Sequence, residues 1–310
     1  MFKKQAAAVA PATGREGREV AAPAGEIRNM LSFDVEDLDA MNFASMDQFR
    51  DWKLPSRVCP AMNVLLDVLA AYGARATMFF LGTVAERYPE LVRRAQAEGH
   101  EIASHGYGHR LAYSQTAGEF RDDVRKSVEI LQQISGAPVH GYRAPSWSIS
   151  KATPWAYEIL ADLGFRYDAS LFPFRTYLYG DSAAPVATFV VPAGSGRIFE
   201  VPASVLTLGK RRLPFGGGFY FRALPWFVTR WATAWTNRQG RPVVFYLHPR
   251  EIDPEQPRLP LPWRDRLVAY VNLGTTLGKL KRLLALGPTR TIDDFLQVQF
   301  IPSLSARAAA

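Results

Sequence analysis

Cysteine is almost absent from this chain: Cys59 is the single one in 310 residues. One thiol excludes an intramolecular disulfide and any zinc site built from several thiolates. It fits a reducing compartment. No apolar run reaches the length of about eighteen residues that a bilayer-spanning helix needs. Basic residues outnumber acidic ones, 37 to 29, for a net charge of +8. Even so, the densest basic cluster is only Lys210-Arg211-Arg212. That is too short to indicate DNA or RNA as a partner. Histidine is also scarce, with five in the whole chain.

Hydrophobic residues make up 48% of the sequence and charged residues 21%, a soluble globular composition with material for one large core. The basic balance suits an acidic partner such as an anionic polysaccharide, a lipid pyrophosphate carrier or a membrane surface, and equally suits plain solubility. The stretch from Met1 to Glu26 has two lysines and a short alanine run cut by Pro11, too weak for a signal peptide. We expect a disordered leader over 1–26, a disordered tail over 301–310, and a cytoplasmic protein near the inner membrane.

From Ile27 on, short apolar runs alternate with amphipathic segments. Met30 to Phe33, Ala76 to Leu81, Glu101 to Ser104, Val139 to Arg143 and Arg166 to Asp168 read as strands. Pro60 to Tyr72, Tyr88 to Ala97, Phe120 to Ser135 and Pro154 to Leu163 read as helices, each followed by glycine. This alternation predicts a parallel α/β sheet or barrel. Beyond Asp168 the pattern loosens. Phe189 to Val191 and Phe199 to Pro202 look like strands without helices between them, and Val243 to Leu247 is the clearest late strand. Arg266 to Leu286 is helical with a break expected at Gly274-Thr275-Thr276, and Ile292 to Leu296 makes a last helical turn. Gly216-Gly217-Gly218 reads as a loop without the Lys-Ser/Thr of a phosphate loop, so no nucleotide site is expected there.

Polar clusters follow four strands: Asp34/Glu36/Asp37, His105/His109, Arg143 and His248. In parallel α/β folds strand C-termini converge on one face, so these residues can share a site. His105 and His109 can point the same way if a helical turn follows the strand, and two imidazoles plus a carboxylate are an ordinary set for a catalytic divalent metal. Any of the three acids can supply the carboxylate, with another left free as a general base. Arg143 is a permanent positive partner for an acid. His248 is a candidate general acid. His100 falls at the opposite end of its strand, and neither it nor His140 is given a role.

In this order the clusters resemble the polysaccharide deacetylase family, the NodB-homology domain of carbohydrate esterase family 4. The residues that carry the likeness are Ser32-Phe33-Asp34-Val35-Glu36-Asp37, His105-Gly106-Tyr107-Gly108-His109, Tyr142-Arg143-Ala144-Pro145, Tyr167-Asp168-Ala169-Ser170 and Tyr246-Leu247-His248-Pro249. Asp34-Val35-Glu36-Asp37 departs from the usual Asp-Asp of the first motif. It is similar, with His248-Pro249-Arg250-Glu251 and Tyr270-Val271-Asn272-Leu273, to the subgroup found with exosortase-linked exopolysaccharide loci.

The resemblance implies a distorted (β/α) barrel as a single catalytic domain over 27–300, with a subgroup-specific extension from about 250. It implies a hydrolase that removes N-acetyl groups from an amino-sugar polymer or a lipid-linked oligosaccharide; peripheral membrane association is a separate expectation from the basic charge and the lack of a spanning segment. The implied cofactor is a divalent metal, zinc first and cobalt or another ion second. His105 and His109 are the implied ligands, with Glu36 as third ligand and Asp37 as its alternative. Asp34 is the general base held by Arg143, and His248 the general acid oriented by Asp168. A backbone N–H after Asp168 is expected at the oxyanion. Aromatics near the motifs, Trp147, Tyr177 and Tyr220 foremost with Tyr179 and Phe219 beside them, are candidates for sugar contact. The competing readings are an amidohydrolase of a small cyclic amide or formamide on the same fold, and an inactive carbohydrate-binding or scaffold domain.

Overall fold

The computed structural model describes residues 27–49 and 54–300, so the leader and tail expectations, and the compartment argued from the leader, lie outside the described residues. The chain opens with β1 (Met30–Val35), α1 (Val58–Ala71), β2 (Thr77–Phe80), α2 (Gly82–Arg87), α3 (Pro89–Ala97) and β3 (Glu101–Ser104). It continues through α4 (Ala117–Ser135), β4 (Gly141–Tyr142), α5 (Trp155–Asp162) and β5 (Tyr167–Asp168). Next come two hairpins, β6 (Phe189–Ala193) with β7 (Gly196–Glu200) and β8 (Val205–Leu208) with β9 (Arg211–Pro214). The remainder is α6 (Gly218–Ala223), α7 (Trp226–Arg238), β10 (Val244–Leu247), α8 (Trp263–Tyr270), α9 (Leu273–Leu284) and α10 (Ile292–Gln299).

The main sheet runs β10-β1-β2-β3-β4-β5-β7-β6, parallel throughout except for β6 at its edge. It is a curled parallel sheet of the distorted-barrel type, and no ladder among the described residues joins β6 to β10. Every residue of β1 is buried, as a strand covered on both faces must be. Alternation sends Leu31, Phe33 and Val35 into the layer shared with the helices, together with Leu65, Leu69, Met78 and Phe80. Met30, Ser32 and Asp34 take the opposite face. Where the strands begin, that face is filled by Met30, Phe79, Tyr167 and Val244 against Ile292 and Phe295 of α10. Two side chains that open strands tie α10 there: Ile292 N–H donates to Thr77 Oγ1 (2.9 Å) and Asp293 N–H to Glu101 Oε2 (3.2 Å). Apolar packing thus closes one end of the curl, and Asp34 points toward the other.

Helix α4 starts at a full capping box, Thr116 with Glu119, so that its first residue, Ala117, comes three residues before the periodicity placed it. Other differences are larger. Gly216-Gly217-Gly218, read as a loop, leads straight into α6 with Gly218 as its first residue. Helix α7 and the β8–β9 hairpin were not expected at all. The break expected at Gly274-Thr275-Thr276 falls earlier, at Val271-Asn272, where Asn272 takes the left-handed conformation (φ +51°) and all three residues lie inside α9. Asparagine tolerates that conformation, and the glycine can be carried in a helix whose other face is packed.

Candidate active site

Four strand ends deliver the side chains. Arg143, just past β4, is buried; its Nη1 donates to Asp34 Oδ1 (2.6 Å) and to Ser32 Oγ (3.0 Å), and its Nε to Ala169 O (3.2 Å). Its guanidinium also lies 4.1 Å from the Phe79 ring centroid and 5.0 Å from that of Trp147. The guanidinium is therefore enclosed by protein, with Asp34 as its counter-ion, and removing either partner would leave a buried charge uncompensated. Arg143 Nη2 has no hydrogen-bond partner among the described residues.

His105 follows β3 directly. Its Nδ1 is 2.7 Å from the carbonyl oxygen of Arg143. A carbonyl can only accept, so Nδ1 carries the proton and Nε2 is left with its lone pair. No helical turn brings His109 alongside, contrary to expectation. The chain instead turns through Gly106 at φ +78° and His109 itself at φ +56°. The loop is held by Asp123, which accepts from the N–H groups of Tyr107 (2.8 Å) and Gly108 (3.3 Å). A Cβ on Gly106 would meet Asp123 Oδ2 at 2.9 Å, so both φ and space demand glycine there. The two imidazole centroids end 5.3 Å apart.

Glu36 completes the group. Its Oε2 lies 2.8 Å from His109 Nε2 and 3.7 Å from His105 Nε2. One ligand atom from each of Glu36, His105 and His109 falls within 4.8 Å of the others. Burial pushes the Glu36 carboxyl upward, but His109, His248 and the hydrogen bonds of both ligand-site histidines outweigh it and hold its pKa well below the ordinary value. A carboxylate with two imidazoles, one of fixed tautomer, is a donor set that fits a divalent cation. Asp37, the expected alternative, stands elsewhere. Its Oδ1 accepts from the N–H groups of Leu38 (2.9 Å) and Arg57 (3.1 Å), capping the 3-10 turn Leu38–Ala40.

His248 ends β10. Its Nε2 faces the acids, 3.6 Å from Glu36 Oε1 and 3.9 Å from Asp34 Oδ2. Its Nδ1 is 3.1 Å from Glu251 Oε2, not near Asp168. Burial lowers the His248 pKa, while Glu36, Glu251 and Asp34 more than reverse this and hold it above the ordinary histidine value. Glu251 is in turn gripped by Arg222 of α6, Nε to Oε1 at 2.8 Å, with both side chains buried. The rest of the Arg222 guanidinium donates to the carbonyls of Val271 (2.8 Å) and Val268 (2.5 Å) at the α8–α9 junction. Sequence reasoning did not find Glu251 or Arg222. The only available signal was the His-x-x-Glu spacing, which places Glu251 three residues into the 3-10 turn that His248 caps.

Asp168 is buried at the end of β5 but faces away from the cavity. Ser170 Oγ donates to it (2.5 Å) and Glu200 lies beside it. Burial raises the Asp168 carboxyl to about 6 and pushes Glu200, beside it, well above the ordinary value. Of the N–H groups after Asp168, that of Ala169 donates to Tyr142 O and that of Leu171 to Glu200 Oε1, so neither is free for the expected oxyanion role.

A cavity of about 180 Å³ opens above these residues, with Asp34, Glu36, His105, His109 and His248 on its floor. Trp147, Tyr179 and Phe219 supply aromatic wall. Tyr177 and Tyr220 do not line it. Tyr177 is exposed with its hydroxyl 3.4 Å from Asp265, and Tyr220 stacks on Phe172. Asn42, also unforeseen, donates from Nδ2 to Ser146 Oγ (2.8 Å) and lies 3.3 Å from His109 Nδ1.

Residues 57–167 match the family described as polysaccharide deacetylase, and residues 169–297 match a domain of unknown function, DUF3473. His105, His109 and Arg143 come from the first segment and His248 from the second, while Asp34 and Glu36 precede both. Over 107 residues the chain is 36% identical to a peptidoglycan deacetylase of Helicobacter pylori, covering 34% of this chain and 36% of that protein. Over 97 residues it is 42% identical to a chitooligosaccharide deacetylase of Bradyrhizobium, covering 31% and 42% respectively. The chain thus spans about two fifths or less of these relatives. The crystal structure described as a putative polysaccharide deacetylase from Mycobacterium smegmatis shares the fold, with TM-score 0.60, 21% identity and coverage of 87% of this chain and 88% of that one. The chain thus carries a polysaccharide deacetylase segment over residues 57–167, with the DUF3473 segment completing its sheet and contributing one wall of its cavity.

Proposed function

We propose that this protein is a metal-dependent hydrolase that removes N-acetyl groups from an amino-sugar polymer or its lipid-linked precursor, in exopolysaccharide biosynthesis. The observation that carries the reading is the convergence of a carboxylate pair and His248 on one small space. Asp34 and Glu36 both lie within 4 Å of His248 Nε2, yet each carboxylate has a different anchor. The Glu36, His105 and His109 donor set suits a divalent cation, zinc by preference, which would supply Lewis acidity to the acetamide carbonyl. The peptidoglycan and chitooligosaccharide deacetylases among the relatives support the substrate class.

The chain's own residues divide the proton chemistry. Asp34, oriented by Arg143, takes a proton from water as its oxygen bonds to the acetyl carbon. His248, protonated and backed by Glu251, gives a proton to the amide nitrogen as the C–N bond breaks. Without that proton the nitrogen would leave as a poor, anionic group. Acetate and a free amine result. Trp147, Tyr179 and Phe219 offer apolar faces for a sugar ring, and Arg143 pressed against Trp147 fixes the orientation of that wall.

Elemental analysis of purified protein tests the reading. One divalent metal per chain, lost in His105→Ala and in His109→Ala, supports it, and protein that takes up no metal at the wild-type site refutes it.

A further inference from the structure

Helix α7 is built inside out. Its inward face carries Thr229, Ala232, Thr233 and Thr236, all buried. Thr233 and Thr236 turn their hydroxyls back onto the helix, donating to Thr229 O and Ala232 O, each at 2.8 Å. Its outward face carries Phe227, Trp231 and Trp235, 71%, 47% and 37% exposed, interleaved with Arg230 and Arg238. Folding alone would favour the reverse arrangement, with aromatics in and threonines out. The two tryptophans lie together, ring centroids 6.1 Å apart, and Trp235 Nε1 donates to Thr207 O of β8 (3.2 Å). The aromatic ridge therefore continues onto the β8–β9 hairpin, whose tip presents Lys210 and Arg211 and whose Leu213 is 49% exposed.

The charge that α7 and the β8–β9 hairpin themselves carry is of one sign. Between Glu200 and Glu251 the sequence has eight basic residues and no acidic one. None of Arg230, Arg238, Lys210 or Arg211 is ion-paired among the described residues. Tryptophan and phenylalanine flanked by unpaired arginine and lysine match the interfacial layer of an anionic bilayer, where rings seat at the headgroup level and cations meet lipid phosphate. A protein partner of ordinary surface composition would not call for this one-signed field.

We propose that the α7 face, with the tip of the β8–β9 hairpin, docks the protein on an anionic phospholipid surface. The surface belongs to the DUF3473 segment and gives that segment a role separate from catalysis. The two-residue link Leu224-Pro225 joins α7 to α6, whose Phe219 lines the cavity, so docking would set how the cavity meets material at the membrane.

The test is sedimentation of the full chain with vesicles of phosphatidylcholine alone or with phosphatidylglycerol added, with no substrate present, so that it does not depend on the deacetylase reading. Wild-type protein is expected to sediment with the phosphatidylglycerol vesicles and not with phosphatidylcholine alone, less so as salt rises. Phe227→Ser/Trp231→Ser and Arg230→Glu/Arg238→Glu should each weaken partitioning at least about tenfold while keeping the wild-type circular dichroism. Arg121→Glu/Arg125→Glu on α4, equal in charge change, should bind as wild type. Absence of vesicle binding, equal binding by every variant, or a dimer in solution that dissociates with the α7 substitutions would each overturn the proposal.

Discussion

Glu251 stands between His248 and Arg222, its Oε2 3.1 Å from the imidazole Nδ1 and its Oε1 2.8 Å from the guanidinium Nε. The carboxylate therefore fixes the ring orientation and tautomer of His248 while being fixed itself by α6 and the α8–α9 junction. Glu251→Gln should lower turnover about ten- to a hundredfold, less than His248→Ala, whose loss should approach about a thousandfold. It should also destabilise the fold by about 3–5 kcal/mol, because Arg222 stays buried without its counter-ion. Arg222→Met/Glu251→Gln should recover much of that stability without recovering turnover. Steady-state kinetics beside urea denaturation separate the two effects; equal recovery of both would make Glu251 purely structural.

Asp34→Asn keeps an acceptor for Arg143 Nη1 but removes the base. Metal content and circular dichroism should match wild type, with turnover reduced about a hundredfold or more. Glu36→Gln should do the opposite first and release metal. If Asp34→Asn is the variant that loses metal, the two carboxylates have been assigned the wrong way round.

Glu101 lies at the far end of the strands, where it accepts from Thr77 Oγ1, Tyr167 OH and Asp293 N–H. Burial raises its pKa to about 7, against those hydrogen bonds. The folded state thus binds this proton more tightly than the unfolded chain does. The stabilisation is complete below the ordinary carboxyl value of about 4.5 and is lost as pH rises through about 7. The slope cannot exceed about 1.4 kcal/mol per pH unit. Glu101→Gln mimics the protonated acid and should flatten the fall in melting temperature between those two pH values. An unchanged slope would assign the pH dependence to other groups.

Gly217 tests the seam between α6 and β10. A Cβ there would meet the Tyr246 carbonyl oxygen at 2.1 Å and the Tyr246 ring at 2.5 Å. Gly217→Ala should cost about 1–3 kcal/mol or more and disturb the strand that carries His248. Gly118→Ala, with open space around it in α4, should stabilise by about 0.5–1 kcal/mol. Chemical denaturation of both variants checks the contrast.

The strands that carry the site were legible because β1, β2 and β10 are buried on both faces. They read as apolar runs that end abruptly in Asp34, Leu81-Gly82 and His248. The geometry beyond the strand ends was not. His105 and His109 meet through two left-handed residues rather than a helical turn, and no side-chain period encodes that. Asp37 looked equivalent to Glu36 because the sequence does not show that the chain turns after Val35 and spends Asp37 on a cap. Glu251 escaped notice because its importance depends on Arg222, on a six-residue helix entered through three glycines. Helix α7 was missed because its aromatic and β-branched residues have weak helix propensity and its apolar face is the exposed one. The pattern that normally announces a helix by its buried stripe is reversed there.

The central claim is that the cavity over Asp34 and His248 hydrolyses N-acetyl groups with a divalent ion held by Glu36, His105 and His109. The most direct measurement follows acetate and free amine together from N-acetylglucosamine oligomers, with protein stripped by a chelator and then given zinc or cobalt. We predict one acetate per new amine, no turnover after stripping, recovery on adding the metal, and no recovery in His109→Ala. Protein that holds one metal per chain at this site and still releases no acetate from N-acetylated oligosaccharides would contradict the account.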